Sequence, residues 1–419
     1  MPEENTGGAR LRYGSEELCA RIHEDALVLL ESMGVKASPA VAEKIRRVLD
    51  PGEARHLLWS PEAGRFYLSR EAMDACLDRI RQSREYWPRG FGTGGMAAYI
   101  TDSNGPRSPV MADMERLCRF VGETDELTCI QSSFNPGSRI KKDDIQKRAE
   151  TECACIDLMI RHTRGKLVTP TIRTDEGIRY LAAYHQKGHK VGAALSIIST
   201  FLTISEEMAD PFIRTVTAGV PILMNSMPIA GLTGPCSMSS LATLAHAEAL
   251  FGMLLAQLIR PGIPSINAAM PTVADMTRKD MPLKFGSRSN TLLNILIAEV
   301  NCGIGLPACQ SACSHSRDSF DKDAELESAA TFSLINRFDY HILRHLFGFS
   351  SQLNDFSIDD MEKQVALYRR IRRNPLAVRN PEPAVYDPQG FEAIIEGIER
   401  GDFRSLDHTL KHVGRSFVD

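Results

Sequence analysis

The chain has no Cys-x-x-Cys pair, although it holds 10 cysteines among 419 residues. They are spread over positions 19, 76, 118, 129, 153, 155, 236, 302, 309 and 313, which leaves no zinc ribbon and no thioredoxin-type redox motif. No uninterrupted apolar run approaches the ~20 residues that cross a bilayer. The richest stretch, 241–259, is broken by His246, Glu248 and Gln257 and reads as a buried helix. The opening residues, MPEENTGGAR, lack the apolar segment of a secretory leader, so a cytoplasmic location with reduced thiols is expected. No phosphate loop is present. GTGG at 92–95 lacks the Lys-Ser/Thr that would follow and reads as a close-packed turn. A formal net charge of −4 gives no global basic field, which argues against a nucleic-acid partner. The basic cluster RRIRR (369–373) ends a helix, where cations complement the helix dipole in water.

What remains is a chain of ordinary globular composition, long enough for one large α/β barrel or two to three smaller domains. Residues 11–35 place Leu18, Ile22, Ala26, Leu29 and Leu30 at helical spacing, with Ser15 as N-cap and Glu16 and Glu17 in the first turn. A turn region (51–69) and a second amphipathic helix (70–81) complete an N-terminal helical extension, taken as 1–90. From 91 to 375, short β-branched runs alternate with helical segments. Strands are expected at 127–134, 166–172, 192–200, 220–227, 263–269 and 305–312, with weaker ones at 340–348 and 354–358. Helices are expected at 143–162, 174–187, 204–218, 237–260, 288–301 and 320–336. Such alternation implies a parallel sheet, and about eight strands favour a closed (β/α)8 TIM-type barrel over a doubly wound sheet. Residues 376–419, with a Pro-rich link and two short helices, form a C-terminal helical appendage. Barrels of this size often pair through helices, so a homo-oligomer is expected.

In a barrel the site lies at the C-terminal ends of the strands. Reading those ends gives Asn135, Thr169, Thr171, Asn225, Ser226, Asn267, Asp275, Cys313, Ser314 and His315, a set rich in amides and hydroxyls and poor in lysine. GLPACQSACSHSRDSFD (305–321) gathers Cys309, Cys313, His315, Asp318 and Asp321. Zinc is one reading. Against it, Cys309 and Cys313 stand too far apart along a strand to share an ion unless the chain bends. They fit buried apolar positions better, and no tightly bound metal is expected. His246 and Glu248, two apart on one helix, face different ways, and Glu248 in so apolar a helix requires a partner.

Several stretches together resemble the trimethylamine methyltransferase superfamily: SEELCARIHEDALVLLESMGV, FGTGGMAAYITD, NSMPIAGLTGPCSMSSLATLAHAEALFGMLLAQLIRPGIPSI, PTVADMTRKDMPLKFGS and GLPACQSACSHSRDSFDKDAELE. The resemblance runs over roughly 12 to 360, with a shorter and poorly matched C-terminal part. It implies a barrel that passes a methyl group from a methylated amine to the cobalt of a cobalamin (corrinoid) carried by a cognate protein. Trimethylamine-specific members carry pyrrolysine after the strand near 305–312. This chain has only standard residues there, so it looks like the non-pyrrolysine branch, with a quaternary amine such as glycine betaine as the implied substrate. Under that resemblance His315, Asp102 and Asp275 are the catalytic candidates. Phe91, Tyr99 and Phe134 would cage the ammonium. Asn225, Asn267 and Arg317 would bind the rest of the substrate, with Arg107 a further cation for its carboxylate. His315 stands where pyrrolysine-bearing relatives place their special residue. Two alternatives remain open: a zinc-dependent corrinoid methyltransferase acting on a thiol or alcohol, and a non-catalytic amine-binding homologue.

Overall fold

A computed structural model describes residues 11–95, 97–141 and 143–417. Eight short strands carry the architecture: β1 (Gly90–Gly92), β2 (Leu127–Gln131), β3 (Leu167–Thr169), β4 (Ala193–Leu195), β5 (Ile222–Met224), β6 (Ser265–Asn267), β7 (Cys309–Ser311) and β8 (Ile342–Arg344). Each is followed by a helix. In order these are Met111–Glu123, Ile145–His162, Asp175–Gln186, Glu206–Thr217, Met238–Ile259, Arg288–Gly303, Lys322–Ile335 and Ile358–Arg373. Parallel ladders join β7-β8-β1-β2-β3 and β4-β5-β6. Single parallel bridges, Val168 to Val191 and Asn267 to Ala308, link the two groups at both ends. The pairings of this α/β fold therefore run in a circuit.

The alternation of side chains along the strands sorts two layers. Cys129, Leu167, Leu223, Ile266, Cys309 and Ile342 form a small apolar cluster with Trp87, distinct from the larger core between strands and helices. Two residues further along the same strands stand Gln131, Thr169, Asn225, Ala268, Ser311 and Arg344. The apolar layer thus gives way to a polar one toward the C-terminal ends. Cys309 is a packing residue, as its spacing suggests.

Helix Met238–Ile259 is long and apolar enough to cross a membrane, yet it is buried along its length inside the protein. Helix Glu16–Ser32 begins where expected, with Ser15 Oγ accepting from Leu18 N at 3.0 Å. It packs on Met238–Ile259 and Arg288–Gly303. The N-terminal extension is not purely helical. The region expected as turns holds strands Leu57–Ser60 and Arg65–Leu68, which pair antiparallel and continue through Val35–Lys36 to Thr203–Ile204 and Ile198–Ser199. Trp59 and Phe66 meet across that hairpin with centroids 4.8 Å apart. Pro61 and Gly64 mask the two short period-two runs on either side of the turn.

A second correction concerns the strand count. β1 lies within the Gly-rich stretch, where glycine offers no hydrophobic periodicity to read, so the run at 127–134 is the second strand and that at 305–312 the seventh. The weak run at 354–358 stays outside the circuit. Asp355–Phe356 pairs with Tyr99–Asp102 in a separate four-stranded sheet. That sheet is built from the loops that follow β1 and β8.

Leu250, fully buried at the middle of Met238–Ile259, tests this packing. Leu250→Ala is expected to cost about 2–5 kcal/mol in urea denaturation, whereas the same change at exposed Leu58 should leave the midpoint nearly unmoved.

Candidate active site

The polar layer is organised by Arg344. Its side chain is among the largest fully buried in the protein. Nη1 donates to Gln131 Oε1 at 3.1 Å, and Nη2 donates to Asn225 Oδ1 at 2.7 Å and to the Ala268 carbonyl at 2.6 Å. These acceptors come from the ends of β2, β5 and β6. All are neutral. Among the described residues no carboxylate pairs with the guanidinium, and its Nε is buried without a partner. Burial pushes its pKa down, yet an arginine keeps its proton in proteins. The site therefore holds a buried positive charge with amide and carbonyl dipoles around it and no counter-ion.

Its neighbour His345 takes a left-handed backbone (φ 66°), uncommon for a residue with a side chain. His345 N donates to Thr93 O at 2.8 Å, and Nδ1 lies 3.0 Å from Ser311 Oγ. Nε2 is buried and unpartnered, and burial holds the ring well below its ordinary pKa. The turn at 92–95 explains this placement. A Cβ on Gly94 would stand 2.9 Å from Arg344 Cβ, and one on Gly95 would stand 2.8 Å from the His345 ring. Both glycines have positive φ. The Gly-rich turn is close-packed, as expected, and what packs on it is the Arg344-His345 pair.

His315 lies in the loop after β7, and Ala312 N in that loop donates to Arg344 O at 2.9 Å. Its ring is buried. Nδ1 accepts from Arg317 N at 3.2 Å, Nε2 has no partner, and burial lowers its pKa. Ser314 Oγ and Ser133 Oγ are likewise buried and unpaired. Buried polar atoms are normally satisfied, so this concentration at the ends of β2, β7 and β8 is what a ligand or ordered water would complete.

Asn225 and Asn267 are brought together here. Asn225 holds Arg344 directly. Asn267 precedes the Ala268 carbonyl, accepts from Ala269 N at 3.0 Å, and lies 3.2 Å from His246 Nδ1. His246 in turn reaches His23 Nδ1 at 3.0 Å. Glu248 faces Ser226, the partner that so apolar a helix requires. Burial pushes its pKa up to about 8.

Other expected residues stand apart. Phe91 packs outward against Tyr340, Phe347 and Tyr368, so it belongs to the helix-facing core and not to a cage. Its position on β1 puts it on the face opposite the circuit's interior. Asp102 accepts from Asn104 N and pairs with Arg107 at 2.8 Å, which is itself forked onto Asp113. Asp275 accepts from Thr277 N and Oγ1. Both carboxylates fasten turns. Arg317 is paired with Glu327 at 2.7 Å. Tyr99 is half exposed on its hairpin. Phe134 is buried 5.6 Å from Phe356, which meets Phe349 at 4.9 Å, which meets His345 at 5.3 Å. An aromatic row therefore does reach the site, with Phe134 as its expected member and Phe356 and Phe349 as additions. Phe134 also lines a cavity of about 190 Å³ beside the ends of β2 and β3, with Asn135, Arg148, Glu152 and Arg173. Cys309 and Cys313 are buried thiols whose pKa is raised by burial, and they gather no ligand set with His315.

Sequence comparison bears on what this site serves. The family described as "Trimethylamine methyltransferase (MTTB)" matches residues 186–419. The chain belongs to the trimethylamine methyltransferase family. The match reaches the last residue, so the C-terminal part is within the family and not a poorly matched end. The glycine betaine methyltransferase of Desulfitobacterium hafniense (strain Y51) is 26% identical over 222 residues, which are 52% of this chain and 44% of that protein. The chain thus matches less than half the length of that relative. The monomethylamine methyltransferase MtmB of Methanosarcina barkeri aligns over 95% of this chain and 90% of its own, at 13% identity and a TM-score of 0.47. A hydroxylamine complex of MtmB gives 0.48.

Arg344, His345 and Gln131 were not among the residues expected at the site. The signal in the sequence is an arginine inside the apolar run YHILRHLFG, a weak strand by its pattern.

Glu248 gives a prediction with a defined sign. Its folded pKa is raised from 4.5 to about 8, so the folded state binds the extra proton between those values. Stability is fully present below the lower value and falls as pH rises through the upper one. In Glu248→Gln, unfolding free energy measured from pH 5 to 9 should lose this decline and exceed the parent's at the alkaline end.

Proposed function

We propose that this chain moves a methyl group from a small quaternary amine that also carries a carboxylate, a betaine, to a corrinoid held by a partner protein. The site is the C-terminal mouth of a (β/α)8 barrel, which is how we read the circuit of eight parallel strands. A cytoplasmic setting and a homo-oligomer fit this reading.

One observation carries the proposal: a buried guanidinium with no carboxylate beside it among the described residues. A lone buried charge is costly unless compensated. A permanent cation without a carboxylate would be repelled there, and Glu248, its pKa raised, offers little negative charge near neutral pH. A zwitterion answers both ends. Its carboxylate meets Arg344, whose Nε is free, and the loop that bonds the Arg344 carbonyl through Ala312 N adds the unpaired Ser314 Oγ and His315 Nε2. Its ammonium then faces the row Phe349–Phe356–Phe134, where aromatic faces attract cations. When bound, the partner's corrinoid supplies a nucleophilic cobalt. The methyl–nitrogen bond breaks, its electron pair stays on nitrogen, and a neutral tertiary amine leaves. That leaving group needs no proton, which fits a mouth with no charged general acid. The chain's own contribution is position and electrostatics. The unpaired atoms of His345 and His315 orient the substrate, and Gln131, Asn225 and Ala268 fix the guanidinium in advance.

The test is a panel of trimethylammonium compounds with free cob(I)alamin, followed through the cobalt spectrum. Carboxylate-bearing members should exceed choline and tetramethylammonium by about 10²-fold in kcat/KM. Arg344→Gln, shown to be folded by near-ultraviolet circular dichroism, should erase that margin. Equal turnover of choline, or an undiminished margin in the variant, would contradict the reading.

A further inference from the structure

The C-terminal segment brings together three side chains that bind metals in other proteins. Asp387 lies in the Pro-rich link, and His408 and His412 stand four residues apart on helix Asp407–His412. Their ligand atoms all lie within 4.8 Å of one another, the only group of three or more His, Cys, Asp or Glu of this kind among the described residues. His408 Nε2 is 2.7 Å and His412 Nε2 3.9 Å from the same atom, Asp387 Oδ2.

The hydrogen-bond partners decide which ring atoms carry protons. His412 Nδ1 lies 2.8 Å from the His408 carbonyl, which can only accept, so Nδ1 donates. With Nδ1 engaged, Nε2 is the ring nitrogen left facing the Asp387 carboxylate, 3.9 Å away. His408 Nε2 donates to Asp387, while its Nδ1 is buried with no partner. A cation placed among these atoms would be within reach of the carboxylate and both imidazoles at once.

We propose that Asp387, His408 and His412 form a site for a zinc-type divalent cation. The four-residue spacing puts both imidazoles on one helix face, as in helical zinc motifs. An imidazole held by a hydrogen bond from its other nitrogen to a carbonyl is the usual support behind a metal ligand. Bonds of about 2.0–2.2 Å in a tetrahedron set ligand atoms roughly 3.3 Å apart. The His408–Asp387 pair has to open, with the Nε2 proton moving to the free Nδ1, and His412 to close in, each by well under 1 Å on that geometry. His412 is half-buried, which leaves an entry path and a fourth position for water.

The position of the site gives the cation a task. Asp387 N donates to Ser239 Oγ at 3.0 Å, at the start of helix Met238–Ile259. A Cβ on Gly231, in the loop after β5, would meet Thr409 Cγ2 at 3.3 Å. The cation would clamp the C-terminal segment onto the loop and helix start that follow β5. It is separate from the Arg344 site and does not depend on the methyl-transfer reading.

The experiment uses the full chain, stripped with a chelator and dialysed against Zn²⁺, with metal content read by mass spectrometry. One equivalent per chain and a raised Tm are expected. Both should be lost, with affinity down at least about tenfold, in His412→Ala and, as a second variant, Asp387→Asn. Circular dichroism of the metal-free proteins should match the parent. Co²⁺ in place of zinc should give tetrahedral visible bands without sulfur-to-cobalt charge transfer. Three results would overturn the proposal: no stoichiometric zinc in the parent, undiminished binding in both variants, or a thiolate spectrum.

Discussion

A guanidinium sealed inside the polar layer is the constraint on which the site depends. Arg344 takes neutral oxygens from β2, β5 and β6. Each contact ties a different part of the strand circuit to one charge. A neutral side chain there would leave Gln131 and Asn225 facing an empty centre. The charge needs more than dipoles, because dipoles only partly replace water around an ion. The missing compensation is a property of the site, and a ligand anion is the simplest way to supply it.

Other features follow from holding that charge in place. The apolar layer below, from Cys129 to Ile342, excludes water from one side of it. Gly94 and Gly95 let the chain after β1 pass directly against Arg344 and His345. The backbone strain at His345 is held by its hydrogen bonds to Thr93 and Ser311 and by that close approach. The aromatic row from Phe134 to Phe349 arises from the loops that follow β2 and β8 and reaches the site at His345. A buried cation and the end of an aromatic row thus adjoin through the Arg344-His345 pair.

Much of this arrangement was legible in the sequence, and the failures have physical causes. Strands β2 to β7 and their helices declare themselves by β-branched runs and 3.6-residue spacing, and the Ser15 cap by its hydroxyl before two glutamates. β1 does not, because Gly90, Phe91 and Gly92 have one apolar side chain among them. Without its strand, Phe91 reads as a mouth residue. Once β1 is known, alternation turns it outward to Tyr368. Asp102 and Asp275 looked functional as acids near strand ends, but local sequence already offered them turn partners, Asn104 and Thr277. Arg344 was hidden for the opposite reason. Its partners are 76, 119 and 213 residues away, and nothing local marks a long-range contact. Asn225 and Asn267 fall in the polar layer where the strand ends put them, because strand ends can be counted without knowing what crosses between them.

The most direct measurement is calorimetric binding of a betaine beside its methyl ester, which keeps the trimethylammonium group and removes the anion. If the buried charge of Arg344 is the substrate's partner, the carboxylate form should bind about a hundredfold more tightly, and Arg344→Gln should bring the two together. Equal affinity of acid and ester for the parent protein would contradict the account at its centre.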